Sequence, residues 1–262
     1  MWIELLLLLG LIALGTALLA RILPRWPRSV RISVSLLLSS VLVLYGAWSL
    51  SRARWQVMGE TVSAIDTGEM LVALTFDDGP TREWTAPVLS ILEREGARAT
   101  FFLIGASADA NPSEARAIVE AGHEVGNHSY THARMALRSP AFVRTEIERT
   151  DAALRRAGWR GPLLFRSPYC KKFVVLPYYL ARHGRVNVFW DVDADSTSRF
   201  TASPEQLAAH VVASARPGSV VLMHVMYDSR QVSRDALPLI IRGLRGRGFE
   251  LVTVSELMRR AG

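Results

Sequence analysis

The sequence has one cysteine and only two lysines among its 262 residues, and each scarcity excludes something. Cys170 alone can close no internal disulfide and supplies no second thiolate for a cysteine-built metal cluster. The lysines, Lys171 and Lys172, are neighbours, so almost all positive charge is carried by arginine. No Gly-rich phosphate loop is visible, which removes the usual signature of a nucleotide-binding sheet. There is no internal repeat or low-complexity tract. The net charge of +7 is unevenly spread: residues 1–59 hold six Arg and one Glu, or +5, leaving 25 basic against 23 acidic residues, or +2, for the remainder. That balance is no electrostatic footprint for nucleic acid.

Apolar residues, by contrast, make up half of the chain. Residues 5–20 carry no charge and, with Ile22 and Leu23, form a run long enough to cross a bilayer as a helix. A second run extends from Ile32 to Leu50, and Pro24 and Pro27 break the chain between them. A cleaved signal peptide fits less well, because Glu4 stands where a basic segment belongs and a second apolar run follows at once. The expectation is a two-helix transmembrane hairpin over residues 1–52, a linker over 53–69 and one domain over 70–262. Arg21, Arg25, Arg28 and Arg31 flank the short loop, against Arg52 and Arg54 beyond it, so the positive-inside tendency puts the loop in the cytoplasm. Trp2, Trp26, Trp48 and Trp55 fall near the expected interfaces. The domain would then be anchored to the cell (inner) membrane and face outward.

From Leu71 onward, apolar runs alternate with amphipathic helical patterns, which argues for parallel βα units. Seven strand candidates stand at 71–76, 99–104, 123–127, 162–166, 186–190, 219–223 and 249–253. Helical stretches lie near 83–95, 113–121, 140–157, 173–183, 204–215 and 233–246, with 254–260 closing the chain. Gly96, Gly122, Gly158, Gly184 and Gly248 occupy helix C-cap positions. The class is α/β, and seven units suggest a barrel; a doubly wound open sheet is the alternative.

The first strand candidate ends in Asp77-Asp78-Gly79-Pro80, which delivers two adjacent carboxylates to the C-terminal edge of a sheet. Such neighbours repel unless one of them meets a cation. His128 and His132, four residues apart, have a spacing that on a helical turn places both imidazoles on one face. With Asp78 they form a three-ligand set with an open position, a donor set that suits Zn²⁺ or another divalent transition metal. Asp77 is then left as a general base.

Five separated segments occur in the order found in the polysaccharide deacetylases, the NodB-homology carbohydrate esterases. They are Thr75–Pro80, His128–His132, Arg166-Ser167-Pro168-Tyr169, Trp190–Asp195 and Val221–His224. The chain resembles that family over roughly residues 70–256. The resemblance implies a distorted (β/α)₇ barrel in which Asp77 is the base, Arg166 holds it, and His224 is the acid toward the leaving amine. It also implies substrate contacts from Tyr169, whose amide would face the oxyanion, and from Leu222 and Trp190. The fourth segment departs from the family pattern: Ser196, not Trp, follows Asp195, so Asp193 or Asp195 could orient His224, and Asp195 is preferred. Cys170 and Val225 also stand where the family often has Gly and Asp. His123, His183 and His210 are assigned to structure or surface.

The expected function is metal-dependent hydrolysis of N-acetyl groups from amino sugars in a glycan (peptidoglycan, chitin-like or exported polysaccharide) at the outer face of the membrane. A deacylase of a lipid-linked amino sugar, or a carbohydrate-binding module that has lost its chemistry, are the alternatives. A pure binder would have no need of Asp77, Asp78, His128, His132 and His224 together.

Overall fold

The computed structural model of the chain describes residues 26–52, 56, 58–197, 199 and 201–261. Helix α1 (Arg28–Arg52) comes first. Its leucines and valines are interrupted by Ser33, Ser35, Ser39 and Ser40, and the Ser40 hydroxyl donates back to the Leu36 carbonyl at 2.8 Å. Among the described residues no helix is long and apolar enough to cross a membrane. This corrects the expected two-helix hairpin, and with it the membrane anchor and the inner-membrane, outward-facing location. The first apolar run, residues 5–23, lies outside the described residues.

The remaining elements are β1 (Thr61–Val62), β2 (Leu71–Asp77), α2 (Thr85–Arg94), β3 (Thr100–Leu103), α3 (Gly105–Ala110), α4 (Pro112–Glu120), β4 (Glu124–Asn127), α5 (Pro140–Arg156) and α6 (Val175–Arg182). After them come β5 (Asn187–Val188), β6 (Val192–Asp193), α7 (Pro204–Ser214), β7 (Ser219–His224), α8 (Gln231–Gly246), β8 (Glu250–Val252) and α9 (Val254–Ala261). Ser139 and Ser203 accept the amides of Phe142 and Gln206 at the starts of α5 and α7. The five glycines at helix ends all have positive φ.

All pairings between named strands are parallel, in the order β4-β3-β2-β7-β6. The sheet bends round on itself through two single-residue bridges, Asn127 to Phe165 and Phe165 to Asn187. The expected strand 162–166 is reduced to that one residue. The strand expected over 186–190 divides into β5 and β6, which pair with different neighbours. β8 and β3 share one edge of β2: β8 pairs with Leu71–Ala73 and β3 with Thr75–Asp77, which distorts the barrel. The stretch 53–69, expected as linker, contains β1, which pairs with β5, and Ile65 N–H donates to the Gly218 carbonyl at 2.9 Å.

Period-two alternation sorts the strand residues into two cores. Val72, Leu74 and Phe76 of β2, with Val221 and Met223 of β7, pack beneath the helices. Leu71, Ala73, Phe102, Leu164, Val188, Val220 and Val252 fill the opposite, interior side. The alternation therefore places Thr75 and Asp77 inside, above Leu71 and Ala73, and likewise Leu222 and His224 above Val220. Gly126 belongs to this side of β4: a Cβ there would stand 2.6 Å from the Phe102 ring.

Candidate active site

The C-terminal ends of the strands converge on a cavity of about 570 Å³. It is lined by Asp77, Asp78, His128, His132, Tyr169, Trp190, Leu222 and His224, together with Ser167, Cys170, Asp193, Ser196, Tyr227 and Arg230. Asp77 is the last residue of β2, paired in register with His224 of β7, and Asp78 leaves the strand with φ of 71°. Gly79 makes that exit possible: its φ is +69°, and a Cβ would meet Met226 Cγ at 2.7 Å.

His128 and His132 do not lie on a helical turn, as their spacing suggested. They flank a loop in which Ser129 and His132 have positive φ, yet the rings come to 4.9 Å between centroids. The loop is held from below by α5. The buried carboxylate of Glu146 accepts the amides of Tyr130 and Thr131 at 3.0 and 2.8 Å, and the Thr131 hydroxyl at 2.9 Å. Asn127 Oδ1 accepts the Ser129 amide at 2.8 Å.

Ligand atoms of Asp78, His128 and His132 all lie within 4.8 Å of one another. Asp78 Oδ1 stands 3.8 Å from His128 Nε2 and 3.4 Å from His132 Nε2, is buried, and has no hydrogen-bond partner. A buried anionic oxygen left unsatisfied is costly unless something else meets it. His128 Nδ1 is 2.8 Å from the Arg166 carbonyl, an acceptor that orients the ring with Nε2 toward Asp78. Burial, and then the neighbouring His128, push His132 below the usual histidine range, so its imidazole is kept neutral. The Tyr227 phenol is pushed up, by burial first and then by the charge and hydrogen bond of Asp78, so it stays protonated beside the carboxylate. These residues fit a divalent cation.

Two acid–base pairs flank this trio. Arg166, fully buried, donates from Nη1 to Asp77 Oδ1 at 2.7 Å and Thr75 Oγ1 at 2.9 Å; its Nε and Nη2 donate to the Val188 and Phe189 carbonyls at 3.1 and 3.2 Å. Burial pushes the Asp77 carboxyl up, but the Arg166, His128 and His224 charges outweigh it and hold the group below the usual carboxylate range. Opposite, His224 Nδ1 lies 2.8 Å from Asp195 Oδ1. Burial lowers the His224 pKa, but the Asp195 hydrogen bond and the charges of Asp77, Asp195 and Asp78 raise it above the ordinary value. Asp193 instead caps the loop, accepting the Ser196 amide at 3.0 Å. Tyr169 adopts φ of 55°, with its ring 4.6 Å from that of His132. The Trp190 ring centroid lies 5.5 Å from the Arg166 guanidinium, and Leu222 lines the cavity.

Eight of the ten expected site residues thus line one cavity, and Arg166 and Asp195 stand behind it, bonded to Asp77 and His224. His123 is elsewhere: it accepts the Ala99 amide and is pushed down to about 4, by burial first and then by Arg98. Thr75, Glu146 and Ser233 went unread in the sequence. Thr75 stood inside a quoted segment, but Glu146 and Ser233 are single polar residues in amphipathic helices, where the only signal is a polar side chain on a buried stripe.

The family model for polysaccharide deacetylase matches residues 64–187. A peptidoglycan-N-acetylglucosamine deacetylase of Bacillus cereus is 33% identical over 213 residues, covering 80% of this chain and 98% of its own. The solved structure of a peptidoglycan N-acetylglucosamine deacetylase bound to a naphthalenyl oxidanyl-benzamide superposes with a TM-score of 0.71 at 31% identity, over 75% of this chain and 92% of that one. A family 4 acetyl xylan esterase of Clostridium thermocellum, solved with a cobalt ion, gives 0.64 at 34% identity over 72% and 90%. The chain belongs to the polysaccharide deacetylase family, with its NodB-type α/β fold. It is a hydrolase of the class acting on carbon–nitrogen bonds other than peptide bonds, and enzymes of its family are metal-dependent.

Proposed function

We propose that this protein removes the acetyl group from N-acetylated amino sugars of a glycan, with peptidoglycan or a chitin-like chain as substrate and Zn²⁺ held by Asp78, His128 and His132. The observation that carries the reading is one cavity flanked by two differently tuned pairs, Asp77 with Arg166 and His224 with Asp195, around a buried carboxylate oxygen that lacks a partner. Bound there, the ion would act as a Lewis acid that polarises the acetyl carbonyl and acidifies water.

The chain's own groups account for the proton transfers. Asp77, kept ionised by Arg166, takes the proton of the attacking water as the C–O bond forms. The Tyr169 amide faces the oxygen that gains charge. His224, kept protonated by Asp195, delivers a proton to the nitrogen as the C–N bond breaks. The products are acetate and a free amine. An amine leaves poorly without that proton, so a histidine tuned upward favours amides over esters. Leu222 and Trp190 shape the space beside the acetyl group.

Incubation with N-acetylated chitooligosaccharide should release acetate and new amine in equal amounts. Acetate without amine, from acetylated xylan for example, would make the protein an esterase and overturn the amide assignment.

A further inference from the structure

The apolar stripe of α8 runs through Ala236, Leu237, Ile240, Ile241 and Leu244, all buried, and the helical repeat extends it back to position 233. A serine stands there, also buried, where packing alone calls for an apolar side chain. A buried hydroxyl is costly unless it is hydrogen-bonded. Ser233 is bonded: its Oγ donates to Asp195 Oδ2 at 2.6 Å. Asp195 receives three further contacts. The His224 amide donates to Oδ2 at 2.9 Å and Oδ1 at 3.2 Å, His224 Nδ1 meets Oδ1 at 2.8 Å, and Arg230 Nη1 donates to the Asp195 carbonyl at 2.6 Å.

The carboxylate is almost fully buried, so its oxygens depend on donors from the protein. The backbone amide of His224 holds it near the strand but is shared between both oxygens. Ser233 is the side chain that claims Oδ2 and leaves Oδ1 to the imidazole. It lies beyond the residues matched by the family model.

We propose that Ser233 is a positioning residue for the reaction assigned above, fixing Asp195 in the rotation that holds His224 Nδ1–H. The inference rests on that reading for its kinetic consequence only; the hydrogen bond it concerns is observable without turnover. The variants are Ser233→Ala, Ser233→Thr and Ser233→Cys in the full chain. On chitooligosaccharide, Ser233→Ala should lower kcat by about tenfold or more, the scale of one hydrogen bond to a charged group, with KM and bound metal unchanged. Ser233→Thr, which keeps the hydroxyl, should recover most of the loss, and Ser233→Cys, a weak donor of similar size, should fall between.

Proton NMR of the same proteins should show a downfield His224 Nδ1–H signal in the wild type and Ser233→Thr that is shifted or lost in Ser233→Ala. If Ser233→Ala does not fold, the Thr and Cys variants still decide by their order. Wild-type kcat and an unmoved resonance in Ser233→Ala would overturn the proposal and leave Ser233 a packing residue. A wild type that releases no acetate, yet shows the resonance responding to Ser233→Ala, would overturn the function while leaving the positioning role standing.

Discussion

Arg166 Nη1 lies 2.7 Å from Asp77 Oδ1, and both side chains are removed from water. Each is a charge that the interior would reject alone, and Arg166 spends its remaining donors on Thr75 and two backbone carbonyls. The pair therefore ties the base to the barrel interior, and stability and chemistry share one contact.

Breaking that pair should be expensive. Arg166→Ala leaves a buried carboxylate unpaired, a loss of about 3–5 kcal/mol in unfolding free energy by urea titration. Activity should fall with it even well below the melting temperature. A variant as stable as wild type would mean that Asp77 escapes its charge by taking up a proton, and that Arg166 is not its partner in solution.

The rate should form a broad plateau against pH. Asp77 works ionised and its pKa is held down, so activity is lost only as pH falls below the ordinary carboxylate range. His224 works protonated and its pKa is held up, so activity persists above about 6.5, the ordinary histidine value, and is lost as pH rises through the raised one. Asp195→Asn removes the main upward influence and should draw the alkaline limb to lower pH. An alkaline limb that ignores Asp195→Asn would remove His224 from the role of acid.

Metal content should separate the two aspartates. His128→Ala and His132→Ala each withdraw a ligand and should lose both metal and turnover. Asp77→Asn should keep the metal and lose turnover. Loss of metal in Asp77→Asn would show that Asp77 and Asp78 have exchanged roles.

Glu146 should matter to a metal it does not touch. Its carboxylate holds the amides between His128 and His132, so Glu146→Ala should weaken zinc affinity by about 10–100-fold in competition with a chelator, with the fold retained. Unchanged affinity would mean that the loop holds its shape without α5.

Much of this was legible because strands and site residues obey the same period of two. The alternation that buries Val72, Leu74 and Phe76 under helices also sends Asp77 inward, and the same counting places His224 above Leu222. The C-terminal helix ends were legible from the glycines. What was not legible depends on contacts far apart in sequence. The loop between His128 and His132 takes its shape from Glu146, so four-residue spacing alone suggested the wrong backbone. The choice between Asp193 and Asp195 turns on which carboxylate reaches His224, a contact between residues 29 apart in sequence. The apolar run at 32–50 suggested a membrane helix, but hydrophobic residues counted along a line overstate a helix whose serines recur every few residues.

Acetate release should depend on a cation held by Asp78, His128 and His132. The most direct measurement strips the protein with a chelator and then titrates Zn²⁺ back while following acetate from N-acetylated chitooligosaccharide. The stripped protein should release none, and recovery should saturate near one equivalent and be absent in His132→Ala. Undiminished release after stripping, or recovery in His132→Ala equal to wild type, would contradict it.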